Sequence, residues 1–303
     1  MSSSMSSYLE ANARQRIHAL LDAGSFEEFL PPSLRITSPH LAQLDTPASF
    51  DDGVIIGSGL LQGRKVLAAA QEGGFMGGAV GEVHGAKLVG LLKRAINERV
   101  DGVLLLLETG GVRLHEANAG LIAVSEVMRA VLDTRAANIP VIVLVGGANG
   151  CFGGMGIVAC CANDILMSEE GRLAMSGPEV IETTHGVEEF DSRDRALVWR
   201  TTGGKHRYLL GDCSAVLPDD IAAFRQAAFE TLLRYQEKSA ELTLTDLEAE
   251  HILLSQRLQN FGQFSEPMDI WSKLGVAEPE VLPMLEAQVF MQRVAGSRAG
   301  EQS

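Results

Sequence analysis

PVIVLVGGANGCFGGMGIVACCANDILMS, residues 140–168, contains a complete structural unit. PVIVLVGG (140–147) is apolar between its proline and its glycines, without the alternation of a strand that faces water on one side. Such a run reads as a strand buried on both faces, as parallel sheets require. Asn149-Gly150-Cys151-Phe152-Gly153-Gly154 turns the chain, GIVACCA (156–162) reads as an apolar helix, and DILMS (164–168) as the next strand. Working outward, VDGVLLLLE (100–108) is another buried strand, followed by Thr109-Gly110-Gly111 and the helix AGLIAVSEVMRAVLDTR (119–135). Residues 81–97 carry helical spacing at Val83, Leu88, Leu91, Leu92 and Ile96. GVIIGSGLLQGRKVLAAAQ (53–71) reads as hairpin strands with glycine turns. Fully apolar strands alternating with helices predict an α/β fold with parallel βαβ packing.

The flanks differ. Residues 7–30 predict an amphipathic helix with Ile17, Leu20 and Leu21 on one face, ending at Gly24, after which Ser25 caps a short FEEFL segment. Residues 33–52 predict an exposed connection. Residues 190–240 predict helices and a strand pair in YLLGDCSAVL (208–217); 243–295 is helical in pattern, broken near 262–267 and 279–283, and the last eight residues read as frayed. The expected organisation is an N-terminal helix and connection (1–52), a central α/β domain (53–240) and a C-terminal helical extension (241–303).

A net charge of −14 argues against nucleic-acid binding, which needs a basic surface. No apolar run reaches the roughly 18 residues of a membrane helix. MSSSMSSYLEANARQR lacks the apolar core of a secretory signal. The four cysteines (Cys151, Cys160, Cys161, Cys213) form no CxxC pair. Cys160 and Cys161 read as small core residues of a reduced, cytoplasmic chain without a metal site.

Chemistry is signalled by glycine. Two buried strands each end in a glycine pair near a helix start, Gly110–Gly111 and Gly153–Gly154. Amides in the first turn of a helix have no internal partner and can hold an anion. Two such turns facing each other would aim N–H groups at one oxygen, although tight turns without chemistry explain the same glycines. A third cluster, Gly73–Gly81, precedes His84 and Lys87 on the next helix, where a phosphate cradle is the functional reading. It lacks both GxxxxGK[ST] and a GxGxxG fingerprint, so nucleotide binding has little support.

FMGGAVGEVHGAKL (75–88), LLLETGGVRLHEA (105–117), GANGCFGGMGIVACCANDILMSEEGRLAMSGPEVIE (147–182) and YLLGDCSAVLPDD (208–220) occur in an order that resembles carboxyltransferase subunits. Across roughly 53–235 the chain resembles the carboxyltransferase β subunit of bacterial acetyl-CoA carboxylase. TGGVRLHEANAG and ANGCFGGMG make it more similar to the β subunit of biotin-independent malonate decarboxylase. Residues 140–179 also resemble the wider crotonase superfamily. A four-cysteine zinc ribbon, usual in the acetyl-CoA carboxylase subunit, has no counterpart here, and the helices beyond 240 exceed a minimal carboxyltransferase.

The resemblance implies a crotonase-like ββα superhelix with helical N- and C-terminal extensions. It implies backbone oxyanion donors at Gly110, Gly111, Gly153 and Gly154 for the enolate formed when a malonyl thioester loses CO₂. The thioester would ride on a CoA-like phosphopantetheine arm, lined by Gly77, Gly78, Ala79 and Gly81, and by Gly177 and Pro178. Implied partners are a γ subunit bearing a second oxyanion hole, an acyl carrier (δ) subunit and an acyl carrier transferase (α) subunit, without biotin or metal; a biotin-dependent carboxyltransferase is the alternative. His84, His115 and His185 lie near the motifs as proton-donor candidates, with Glu116 and Glu182 able to orient one of them. Arg113 either grips the malonyl carboxylate or braces its loop, bracing being preferred because a tightly held carboxylate resists leaving as CO₂. Arg193, Arg195, Arg200, Lys205 and Arg207, set against the single acid Asp194, form a basic stretch that an acidic carrier would suit.

Overall fold

The computed structural model describes residues 6–45 and 50–300. Part of the expected 33–52 connection (46–49) and of the expected frayed end (301–303) therefore lie outside the described residues. The elements run α1 (Ala13–Leu20), β1 (Glu27–Phe29), α2 (Pro39–Gln43), β2 (Val54–Leu61), β3 (Arg64–Gln71), α3 (Glu82–Glu98) and β4 (Gly102–Leu106). Next come α4 (Ala119–Ala136), β5 (Val141–Val145), α5 (Gly154–Cys160), β6 (Asp164–Ser168), α6 (Pro178–His185), α7 (Arg195–Thr202), α8 (Gly204–Leu210) and β7 (Ala215–Leu217). The chain closes with α9 (Ile221–Glu237), α10 (Leu244–Phe261), α11 (Pro267–Lys273) and α12 (Ala287–Arg293).

Among the described residues all seven strands lie side by side in chain order in one sheet. β1, β2 and β3 pair antiparallel; from β3 to β7 every pair is parallel, with Leu104 opposite Ile142 and Val143 opposite Ile165. Because right-handed crossovers between successive parallel neighbours all fall on one face, α3, α4 and α5 stack together there. Val103, Leu105, Val141 and Val143 point to that layer. Leu104, Leu106, Ile142 and Leu144 point to the opposite layer, covered by α1 and α9. This two-sided burial explains why the strands lack alternation; each Leu or Ile so enclosed contributes about 1.5–3 kcal/mol.

Three local expectations are corrected. The N-terminal helix is shorter than 7–30, since Asn12 caps it in a box with Gln15 and it stops at Leu20. Within FEEFL, residues 27–29 form the edge strand β1 against Phe29↔Ile56, because Gly57 opposite Glu28 leaves room for it. YLL in YLLGDCSAVL ends α8, and only Ala215–Leu217 is strand; Gly211, at φ +91°, is a helix-terminating glycine, with Asp212 N–H donating back to Arg207 O at 2.8 Å. Of the two cysteines expected in the core, Cys161 is half-buried and Cys160 is exposed, turned outward with Ile157 on α5, whereas Cys151 and Cys213 are buried.

The N-terminal segment is tied to the far end of the sheet layer. Leu9 N–H donates to Asp219 Oδ1 at 2.8 Å and Ile221 N–H to Ser6 O at 2.7 Å. A third apolar cluster joins Leu209 and Val216 to Trp271, Leu282 and Phe290 of the C-terminal helices. α10 buries none of its residues and leaves Leu244, Leu247, Leu254 and Leu258 exposed. Among the described residues no helix is long and apolar enough to cross a membrane.

Two enclosed imidazoles set an acid limit. Burial, helped by nearby Arg113, pushes His84 down to about 3. Burial, helped by Arg207, does the same to His206, whose Nδ1 accepts from Trp271 Nε1 at 3.1 Å. The unfolded chain binds these protons near pH 6.5 and the folded chain does not, so stability falls as pH drops from 6.5 toward 3. The slope is about 1.4 kcal/mol per pH unit for each histidine. Melting temperatures measured from pH 6.5 to 5.5, above the range where carboxyls of the unfolded chain take up protons, are expected to fall steadily. A flat profile there overturns the assignment.

Candidate active site

The glycine turns lie just past the carboxyl ends of β4 and β5 and are stitched together by main chain. Thr109 N–H donates to Gly150 O (2.8 Å) and Phe152 N–H to Thr109 O (2.9 Å). On either side the ladder continues, with Val80 N–H to Gly111 O (2.9 Å) and Cys151 N–H to Arg172 O (2.8 Å). Isolated bridges Val80–Val112, Thr109–Cys151 and Cys151–Leu173 thus form a short second layer of strand pairing. Within it, Gly111 (φ +145°) and Gly153 (φ +66°) face each other; a Cβ on Gly153 would lie 3.1 Å from Gly111 Cα. The two backbones approach this closely because Gly153 carries no side chain.

Not all four expected amides are bare. Gly110 N–H donates to Gly77 O at 2.9 Å and Gly153 N–H to Met175 O at 2.8 Å, so these two amides hold neighbouring loops in place. Gly111 N–H has a 3.1 Å contact with Thr109 Oγ1, a hydroxyl that can rotate away. Among the described residues Gly154 N–H, and Met155 N–H beside it, have no protein partner; they are the first orphan donors of α5. The donor set narrows to one glycine from each turn, Gly111 and Gly154, with Met155 added. Gly154 also fixes α5 against α4, since a Cβ there would sit 2.7 Å from Val124 Cγ1.

Of the residues expected along the acyl arm, Gly77, Gly78, Ala79 and Gly81 support the same turns. Gly77 O receives Gly110, Gly78 (φ +71°) leaves no room for a Cβ against Glu108 O, and Ala79 O accepts from Arg113 Nε at 2.9 Å. Gly81 packs against Glu116 and Arg113, while Gly177 caps α6 and Pro178 is its buried first residue. Lys87 is buried and donates to Val54 O at 2.7 Å, which removes it from any phosphate cradle.

Arg113 is a brace. It is buried, bonded through both terminal nitrogens to Asp51, 3.2 Å from Glu116 Oε1, and lies over the Phe75 ring. Burial alone would raise the Asp51 carboxyl, but Arg113 overrides it and holds the group below the usual carboxylate range. Glu116 spends its other oxygen on Glu82 N–H at 2.7 Å. His84 is enclosed, with Nε2 3.0 Å from Gln71 Nε2. His185 is exposed at the end of α6, 3.9 Å from Glu189, and Glu182 holds Ser192 instead of a histidine. His115 is half-buried, 3.9 Å from Glu116.

The basic stretch does not form one surface. α8 turns Lys205 inward, where Nζ donates to Pro283 O (2.9 Å) and Leu285 O (2.5 Å), and Arg207 pairs with Asp212 at 3.0 Å. Arg200 is half-buried; Arg193 and Arg195 are exposed, Arg195 lying against Trp199.

Sequence reasoning missed Glu108, Arg16, Gln71 and Asn149, which hold the two turns together. The available signal was a lone carboxylate closing the apolar run VDGVLLLLE. Around the turns stand exposed apolar side chains: Met76, Leu114 (85% exposed), Leu121, Ile122 and Met175 (70%). A surface of this kind marks an interaction site.

Residues 10–226 match the carboxyl transferase domain. A malonyl-S-ACP:biotin-protein carboxyltransferase of Malonomonas rubra is 39% identical, with 97% of each chain covered. A Pseudomonas malonate decarboxylase hetero-tetramer, solved with malonate, contains a chain 40% identical at a TM-score of 0.74, covering 85% of this chain and 91% of that one. The acetyl-CoA carboxylase carboxyl transferase subunit β of Fusobacterium nucleatum is 33% identical over 61% of this chain and 62% of its own. With a crotonase-like α/β fold, paired glycine turns and this extent of similarity, the chain belongs to the carboxyl transferase family.

Proposed function

We propose that the chain is the β subunit of a malonate decarboxylase, working with a γ subunit on malonyl-S-acyl carrier protein. Its supporting observation is the pair of facing turns, which leaves Gly154 N–H free and Gly111 N–H weakly held beside a ring of exposed apolar residues. The thioester carbonyl binds to those donors. The bond from the α-carbon to the carboxylate breaks, its electron pair passes into the thioester, and the carbonyl oxygen becomes an enolate oxygen held by the amides. CO₂ leaves and the α-carbon takes a proton, giving the acetyl thioester. Each donor aimed at the developing charge is worth about 3 kcal/mol of barrier. Orientation of the arm, carried by the δ subunit and charged by an α-type transferase, supplies the rest. The γ subunit covers the apolar ring and excludes water. Exposed Arg193 remains to steer an acidic carrier, whereas Arg195 lies 3.6 Å from Glu170.

A second reading rests on the Malonomonas relative, whose name describes transfer to a biotin protein. One experiment separates them: the chain copurified with its γ partner, supplied with malonyl-S-acyl carrier protein, is assayed for CO₂ with and without avidin. CO₂ release unaffected by avidin is the expected result. Release that requires a biotin protein and stops with avidin favours carboxyl transfer; loss of neither malonyl thioester nor carboxyl group overturns both.

A further inference from the structure

We infer that Glu108, pinned by Arg16, is the positioning residue that fixes the distance between the two oxyanion turns. This rests on the function proposed above. The backbone of Glu108 belongs to the first turn, immediately before Thr109-Gly110-Gly111. Its side chain reaches the second turn: Oε1 accepts from Asn149 N–H at 3.1 Å, and Asn149 Nδ2 donates to Gly73 O at 2.9 Å. Oε2 pairs with Arg16 Nη1, both groups being buried. Arg16 is itself clamped, with Nε donating to Tyr8 O at 2.7 Å and its guanidinium over the Tyr8 ring. Glu108 N–H donates to Gln71 Oε1 at 2.9 Å, which holds its main chain from the opposite side. Gly73 and Gly147 have no space for a Cβ because the carboxylate fills it.

One side chain therefore ties both turns, and its counter-charge comes from the N-terminal helix. Two donors serve one oxygen only at a set separation, and a displacement of about 1 Å costs on the order of 100-fold in rate. Glu108 touches neither carbonyl nor carboxylate of the substrate in this scheme. Its loss lowers turnover by moving Gly154 relative to Gly111.

The test uses the copurified complex. Glu108→Ala is expected to lower kcat about 30-fold with KM changed less than threefold. Hydrogen exchange is expected to rise about tenfold in peptides spanning 109–113 and 149–155 while α12 is unchanged. The neutral pair Arg16→Met with Glu108→Gln keeps an acceptor for Asn149 N–H and is expected to recover kcat to within about fivefold of the parent. This pair also serves if Glu108→Ala does not fold. Unchanged exchange at both turns, or a double variant with kcat reduced 30-fold, overturns the inference while leaving the proposed reaction intact. A parent complex with no malonyl-thioester turnover overturns the reaction, and the inference with it.

Discussion

Gly111→Ala is expected to reduce kcat of the assembled enzyme by about 100- to 1,000-fold, the range seen when one oxyanion donor is lost. Its cause is conformational. A Cβ at Gly111 meets no atom within 4 Å, so nothing in the packing opposes it, but φ +145° is closed to alanine. Relaxation rotates the peptide and swings the Gly111 N–H away from the oxygen that Gly154 also serves. The destabilisation is expected to be only about 1–3 kcal/mol, so folded protein remains to be assayed. Steady-state kinetics alongside thermal melts separate the two effects. A variant that keeps kcat within threefold, with intact complex, removes Gly111 from the donor set. Gly154→Ala is a poorer probe, because it drives α5 against Val124 and confounds donor loss with packing.

Replacing Arg113 with methionine is expected to lower stability by about 3–5 kcal/mol at pH 7, the largest single effect on folding foreseen for this chain. The substitution leaves Asp51 and Glu116 buried without their common cation. In the parent, Asp51 has a depressed pKa, so its contribution is present above about pH 4 and is lost as pH falls through the lowered value. In the variant the sign reverses. Burial without a counter-charge raises the carboxyl pKa, so stability is lost as pH rises through that value. The gap between variant and parent in denaturant melts should therefore narrow from pH 7 to pH 5. A gap that stays constant or widens contradicts the brace.

Much of the sheet was legible because its strands are buried on both faces. VLLLL and VIVLV are apolar throughout for that reason, and the glycine turns mark where each strand ends. Periodicity failed where short apolar runs have two solutions. YLL before Gly211 suits a hairpin or a helix end, and only the packing of Leu209 of α8 into the third cluster decides. FEEFL contributes a strand because a neighbouring strand offers Gly57, a tertiary fact outside its own pattern. At the site the glycines announced the turns, but not which amides were already spent; that depends on Gly77 O and Met175 O, far away in sequence. The Glu108 pin was hidden for the same reason, with Arg16 and Asn149 lying 92 positions before and 41 after it.

The ties of Ser6 and Leu9 to the start of α9 bear on the order of synthesis. Successive strand neighbours allow the sheet to grow from the ribosome one βαβ unit at a time, each contact short in sequence. The layer containing Arg16 cannot close until Asp219 and Ile221 have emerged, more than 200 residues after the segment they anchor. Until then Ile17, Leu20 and the Glu108 carboxylate lack their final surroundings. A nascent chain shorter than this holds a nearly finished sheet with an open face, the state in which chaperone capture is most useful.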